Sequence, residues 1–194
     1  MEIERKWMVS GWPDQENVSI KLLCTEYQEQ GYLHTDAPIV RIRLEAHVGK
    51  ESDARTEDES VTKSVKKCAT PEQTKYILCF KSAGFLAREE IEIEIGEDHF
   101  ARLADQIGQP LIRKVRRIYS LPGDLELEVN LVDEGQPTEF MYAEVEFGSV
   151  EQARSWNPAD CGLGGYLFDD VTEKPGQSMS AYWARTRKAA GDCS

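Results

Sequence analysis

The sequence predicts an α+β fold: an eight-stranded antiparallel β-barrel, a tunnel with a charged interior, and helices packed outside. Two observations carry this. Charges recur two residues apart in Glu2-x-Glu4-x-Lys6, Arg41-x-Arg43, Arg88-x-Glu90-x-Glu92-x-Glu94, Lys114-x-Arg116, Glu126-x-Glu128 and Glu144-x-Glu146. The positions between them are largely apolar: Ile3, Ile42, Ile91, Ile93, Val115, Leu127 and Val145. In a strand, residues i and i+2 share one face about 6.6–6.8 Å apart, so each run has a charged face and an apolar face. The second observation is that short turn sequences join most of these runs, which suits hairpins that close on themselves.

Residues 2–9 read as a strand ended by Gly11-Trp12-Pro13. Asp14 to Cys24 reads as a short helix with Asp14 as its N-cap. Tyr27–His34 and Ile39–Ala46 form a strand pair around Thr35–Pro38. Residues 47–73 are polar and aperiodic, a surface insertion with a helical turn near Glu59–Lys67. Lys75–Lys81 and Leu86–Ile95 make a hairpin around Ser82-Ala83-Gly84. Asp98–Ile107 is the clearest helix, with Phe100, Leu103, Ala104 and Ile107 at helical spacing. Leu111–Leu121, Leu125–Val132 and Phe140–Gly148 are strands, followed by a short helix, Val150–Trp156. A Gly-rich turn leads to Asp169-Asp170-Val171-Thr172, and Ser178–Ala190 is a terminal helix. Residues 1–194 are expected to form a single domain.

Composition narrows the function classes. A net charge of −12 argues against a general nucleic-acid binder. No apolar run reaches the ~18 residues of a membrane span, and the N-terminus shows no secretory pattern, so a cytoplasmic protein is expected. The five cysteines, Cys24, Cys68, Cys79, Cys161 and Cys193, are scattered without a C-x-x-C, which suits reduced thiols better than disulfides or a zinc site. His34, His47 and His99 lack metal-ligand or triad spacing and read as solvated or packed. Apolar outward strand faces need cover and leave room for a homodimer.

A single strand alternating charged and apolar residues usually turns its charges to solvent. Here the pattern recurs in six segments, as like-charge pairs. Two carboxylates so close repel unless a cation lies between them, and paired cations need an anion. The inward set would be Lys6, Arg41, Arg43, Lys81, Arg88, Lys114 and Arg116 against Glu2, Glu4, Glu90, Glu92, Glu126, Glu128, Glu144 and Glu146. The cations match a chain of phosphates. The carboxylates match hard divalent metals, Mg²⁺ or Mn²⁺. Together they point to metal-assisted phosphoryl chemistry, where positioning and charge stabilisation dominate.

The opening Glu2-Ile3-Glu4-Arg5-Lys6-Trp7-Met8-Val9 resembles the first motif of the CYTH superfamily, the triphosphate tunnel metalloenzymes. Gln30–Leu33 with Val40–Arg43, Phe80–Gly84, Arg88–Glu92, Lys114–Arg116, Leu125–Val129, Ala143–Phe147 and Asp169–Thr172 resemble its later motifs, in order. The resemblance implies Glu2, Glu4 and Glu146 as core metal ligands. Glu128 and Glu144 would be further ligands or water-orienting groups, as would Glu90 and Glu92, which with Lys81 form the catalytic set. The seven cations would grip the phosphates. Lys81 would neutralise charge at the terminal phosphate, its ammonium kept protonated by carboxylates around it. The chain departs from the pattern at Glu128, Asn130 and Phe168, and after Thr172, around the tunnel mouth.

The expected function is therefore a Mg²⁺- or Mn²⁺-dependent triphosphatase (a phosphoric anhydride hydrolase) acting on tripolyphosphate or a nucleoside triphosphate. The alternatives are an adenylyl cyclase or thiamine triphosphatase of the same fold, and a non-enzymatic polyphosphate- or nucleotide-binding module. Cyclisation would require an adenosine pocket, for which the sequence gives no clear sign. Pure binding would be served by cations alone, which disfavours the module.

Overall fold

The computed structural model describes residues 1–13, 20–48, 62 and 73–188. The strands are β1 (Glu2–Val9), β2 (Lys21–His34), β3 (Ile39–Val48), β4 (Thr74–Lys81), β5 (Ala87–Arg88), β6 (Glu90–Glu94), β7 (Ile112–Ser120), β8 (Glu126–Val132), β9 (Phe140–Glu146) and β10 (Asp169–Asp170). Eight of these are five residues or longer, and β5 and β10 are two-residue segments. Helices α1 (Glu97–Ile107), α2 (Val150–Ser155) and α3 (Met179–Trp183) complete the frame, and α3 widens into a π-helical turn over Ala184–Lys188.

The sheet order is β10-β1-β9-β8-β7-β2-β3-β4-β6, antiparallel throughout, with β5 paired to β1. Closure comes from the β5–β6 segment. Its first piece pairs Arg88 with Glu2 of β1, and its second pairs Glu90 with Lys81 of β4. The sequence reading took Leu86–Ile95 as one hairpin partner of β4. The structure instead breaks it at Glu89, because this stretch must cross from one rim of the sheet to the other. Glu89 at the break is anchored to Ser82, its carbonyl accepting from Ser82 N at 2.9 Å.

The expected helix at Asp14–Cys24 is corrected where it can be seen. Lys21–Cys24 extend β2 and pair with Ser120, Tyr119 and Ile118 of β7. A register shift between Leu22 and Cys24 interrupts the alternation that would have marked them as strand. Residues 14–19, the helical turn expected at Glu59–Lys67 and most of the 47–73 insertion lie outside the described residues.

Apolar residues pack on the barrel's outer wall. Ile3, Trp7, Tyr119, Leu127, Val129, Ala143 and Val145 are buried there under Ala153 of α2 and Leu163 and Leu167 of the following turn. The Ser149 side chain caps α2 by accepting from Gln152 N at 3.1 Å. A second cluster, Tyr27, Ala46, Val48, Val115 and Leu131, covers the β2/β3/β7 side. A third lies on the inner face at one end of the barrel, where Tyr182 and Trp183 of α3 pack on Tyr32, Ile112, Val132 and Tyr142. Tyr182 anchors α3 by donating from its hydroxyl to Asp133 at 2.6 Å. Cover is incomplete at β6, whose outer Ile91 and Ile93 are exposed. Of the four apolar positions of α1, only Phe100 is fully buried.

Gly31 is the tightest point of this packing. A Cβ there would sit 2.6 Å from Leu111 and 2.9 Å from Ile107, with the Trp183 ring behind. Gly31→Val is therefore expected to destabilise the fold by ~1–3 kcal/mol, the usual cost of overpacking. Chemical denaturation checks it: an unchanged midpoint would mean that α1 and α3 do not press on β2 as described.

Candidate active site

Strand pleating decides which side chains face inward. On β1, Glu2, Glu4 and Lys6 line the interior while Ile3 and Trp7 pack outside. The enclosed cavity measures about 540 Å³. Lys6, Arg41, Arg43, Lys81, Arg88, Lys114 and Arg116 all line it, as do Glu2, Glu4, Glu90, Glu92, Glu128, Glu144 and Glu146. Every site residue expected from the sequence thus faces one space. Glu126, also expected inside, is exposed at the start of β8 beside the turn at Gly123, and does not line the cavity.

The charges neutralise one another in pairs. Lys6 donates to Glu144 at 3.1 Å, and Arg116 lies 2.7 Å from Glu128. Arg41 and Arg43 share Glu92 at 3.1 and 2.9 Å. Lys81 lies 2.6 Å from Glu90 and 3.4 Å from Glu2. Arg88 bridges Glu2 at 2.9 Å and Glu4 at 2.6 Å. Nearly all these side chains are strongly shielded from solvent, so each pair is worth more than a surface pair and each unmatched charge costs more.

The protonation equilibria show where the match fails. Burial, reinforced by Glu144 and Glu2, outweighs Arg88 and pushes the Glu4 carboxyl up to about 7. Burial also dominates at Glu128, raised to about 7 despite Arg116 beside it. Glu146 is raised as well, by burial and by Glu2. For Glu90 and Glu144 burial acts in the same upward sense but is overcome. Hydrogen bonding with Glu2, Lys81 and Arg41 hold Glu90 at about 2, and Lys6 and Arg116 hold Glu144 at about 2. Lys81 moves downward: burial, Arg41 and Arg88 together outweigh Glu2 and Glu90. The expectation that carboxylates alone govern this ammonium missed the two guanidiniums. Lys114, fully buried, is lowered well below its ordinary value, by burial and then by Arg116.

Glu2, Glu4 and Glu146 present carboxylate oxygens within 4.8 Å of one another. The cluster comes together because Glu4 pairs with Glu146 across β1 and β9. Three hard oxygen donors, with Glu4 and Glu146 raised by burial and by neighbouring carboxylates, fit a divalent cation, which would supply the missing positive charge.

Several uncharged residues of the site escaped the sequence reading. Gln30, Tyr32, Tyr142 and Thr172 line the cavity. The Lys6 ammonium sits 3.6 Å from the Tyr142 ring centre, and Lys114 donates to the Tyr142 hydroxyl at 3.2 Å. Thr172 accepts from Lys6 N at 3.0 Å, which ties the Asp169–Thr172 element to the site, while Asp170 pairs with Arg5 on the outside of β1. Gln30 Oε1 and Asn130 Nδ2, both on fully buried side chains, have no partner among the described residues. Such groups call for water or ligand. The run Glu26-x-Gln28-x-Gln30-x-Tyr32 was the available signal, since its polar residues fall on one face of β2.

No family model matches the chain. A protein of Nitrosomonas europaea named inorganic triphosphatase is 29% identical over 172 residues, covering 89% of each chain. A solved structure of the inorganic triphosphatase NE1496 superposes with a TM-score of 0.52 at 25% identity, covering 93% of this chain and 95% of the other. Over most of its length the chain is thus similar to an inorganic triphosphatase in sequence and in fold, in line with the resemblance of its motifs to the triphosphate tunnel metalloenzymes. The structure of the PH1819 protein from Pyrococcus horikoshii OT3 shares the fold at 17% identity, with a TM-score of 0.50 and coverage of 79% and 82%. Among the described residues no helix is long and apolar enough to cross a membrane.

The carboxyl shifts set a pH dependence for the metal-free protein. Glu4 and Glu128 hold protons to about 7 when folded, against 4.5 for an ordinary glutamate carboxyl, so the folded state binds more protons in that window. Its stability falls as pH rises through it. Glu90 and Glu144 contribute in the other sense, losing their stabilisation only as pH falls from the ordinary carboxyl range towards about 2. Metal-free protein should therefore melt at lower temperature at about pH 8 than at about pH 5. Differential scanning calorimetry with chelator measures this, and a melting temperature that climbs across the interval would contradict the assignment.

Proposed function

We propose that this protein hydrolyses the terminal phosphoanhydride bond of a triphosphate, inorganic tripolyphosphate or a nucleoside triphosphate, with Mg²⁺ or Mn²⁺. One observation carries the reading: seven cations and seven carboxylates borne on the strands face each other across one cavity, with Lys174 also in its wall. The named activity of the Nitrosomonas europaea relative supports it. The free thiols of Cys24, Cys79 and Cys161 suit a cytosolic setting.

The bound triphosphate replaces carboxylates as the partner of Lys6, Arg41, Arg43, Lys81, Arg88, Lys114 and Arg116. Arg41 and Arg43 give up Glu92, and Lys81 turns from Glu90 to the phosphate being attacked. Glu2, Glu4 and Glu146, with Glu128 and Glu144 beside them, hold the divalent ion. When bound, that ion supplies charge neutralisation on the phosphate oxygens and an activated water. Glu90 and Glu92 accept hydrogen bonds from the water and aim it. A carboxyl held at about 2 is a poor proton acceptor, so Glu90 orients rather than deprotonates. The water oxygen bonds to the terminal phosphorus as the bridging oxygen leaves with pyrophosphate or the nucleoside diphosphate, and the proton the water gives up passes to an oxygen of the released phosphate. Lys81, with its proton loosened by burial, faces the charge that develops there.

Phosphate release from tripolyphosphate and ATP, with Mg²⁺, Mn²⁺ or chelator, tests the proposal. Free phosphate should appear only with metal; cyclic AMP and pyrophosphate from ATP, or no turnover, would overturn it. Glu4→Ala should lower turnover at least ~10²-fold, as for loss of a positioned charged group. Arg41→Ala should chiefly raise KM, measured by steady-state kinetics. Unchanged kinetics in either variant would remove that residue from the site.

A further inference from the structure

Three clusters in the described residues bring metal-binding atoms together. Glu2, Glu4 and Glu146 belong to the tunnel site. Cys79, Glu90 and Glu92 are engaged already: Cys79 donates to Glu90 at 2.9 Å, and both carboxylates pair with tunnel cations. The third, Cys24, Glu26 and His47, lies at one end of the tunnel, on the face of β2 that carries Gln30, and serves no role in the chemistry above.

Strand pairing assembles it. Glu26 of β2 stands directly across from His47 of β3, and Cys24 is two residues before Glu26 on the same face. None of the three lines the tunnel cavity, and Cys24 is six residues along β2 from Gln30, which does. Glu26 nevertheless stands directly across from Arg116 of β7, which does line it, so the cluster borders the cavity. The ligand atoms lie within 4.8 Å of one another, and His47 Nδ1 is 3.1 Å from Glu26 Oε1. Arms of about 2.0–2.3 Å to one tetrahedral ion bring neighbouring ligand atoms about 3–4 Å apart, so small side-chain rotations suffice.

We propose that Cys24, Glu26 and His47 form a second metal site, for a borderline transition ion such as Zn²⁺. The donor set is the argument. A thiol, an imidazole and a carboxylate suit Zn²⁺ or Co²⁺ and not the hard cation of the carboxylate cluster. Gln28, buried beside them, donates from its amide to Glu26 Oε2 at 2.9 Å, which fixes the carboxylate and leaves Oε1 toward His47. Gln28 Oε1 is itself without a partner among the described residues. His47 is half exposed and Cys24 partly so, which gives an ion a way in. Three protein ligands leave a fourth position to water. The absence of a C-x-x-C spacing pointed away from zinc because it sees only neighbours along the chain; here the ligands come from two facing strands.

The proposal is independent of the triphosphatase reading, and its test does not use turnover. Co²⁺ is titrated into the full-length, metal-free protein and absorption is recorded. A thiolate-to-cobalt charge-transfer band should saturate at one equivalent, persist in excess Mg²⁺ and disappear in Cys24→Ser. His47→Ala should weaken Co²⁺ binding at least tenfold, while Cys79→Ser and Glu4→Ala leave the band intact. Near-ultraviolet circular dichroism confirms that each variant is folded. Absence of the band in wild-type protein, its survival in Cys24→Ser or its loss in Cys79→Ser would overturn the assignment.

Discussion

Like charges enclosed in a small space must find counter-charges, and the architecture of this protein follows from that requirement. Fourteen charged side chains borne on the strands face the cavity, all but Lys81 spaced two residues from another charge. Such spacing can be satisfied in water, or inside a barrel where strands of opposite charge face each other. The apolar positions between them decide for the barrel. Ile3, Trp7, Leu127 and Val145 are buried against helix and turn residues outside, so their charged neighbours must point inward.

The internal ion pairs are provisional. Arg41, Arg43, Lys81 and Arg88 hold carboxylates where a triphosphate would put its oxygens. Because the charges are already desolvated, exchanging a carboxylate for a phosphate adds little further burial cost on the protein's side. The carboxylates freed by the exchange then need cations of their own, which makes anion and metal binding mutually supportive. Glu4 and Glu128, raised to about 7, are the places where the protein alone leaves this requirement unmet.

Much of this was legible in the sequence. Two-residue periodicity placed thirteen of the charged wall residues, because a strand's facing follows from parity; Lys81 has no charged neighbour two residues away, and Lys174, beyond the last strand, was not placed in the wall. Glu126 obeyed the same parity but lies at the end of its strand, where alternation no longer guarantees enclosure. Local reading failed where pairing with distant chain governs structure. Lys21–Cys24 are strand because β7 lies beside them, and a bulge hides their alternation. The break at Glu89 follows from barrel closure, a property of the whole sheet. Gln28, Gln30 and Asn130 were passed over because uncharged polar residues are ordinary on exposed strands, and only their burial marks them. The terminal helix was placed correctly, but its π-helical turn was not foreseen; there Thr186 donates to the Tyr182 carbonyl at 2.8 Å, a detail of local hydrogen bonding.

The central claim is that the enclosed charges bind metal and triphosphate together. Crystals soaked with Mn²⁺ and tripolyphosphate, examined by anomalous diffraction, test it most directly. A manganese peak within coordinating distance of Glu2, Glu4 and Glu146, with phosphate oxygens on Arg41, Lys81 and Arg88, is the predicted result. Phosphates bound only on the outer surface, or a manganese peak away from those three carboxylates, would contradict it.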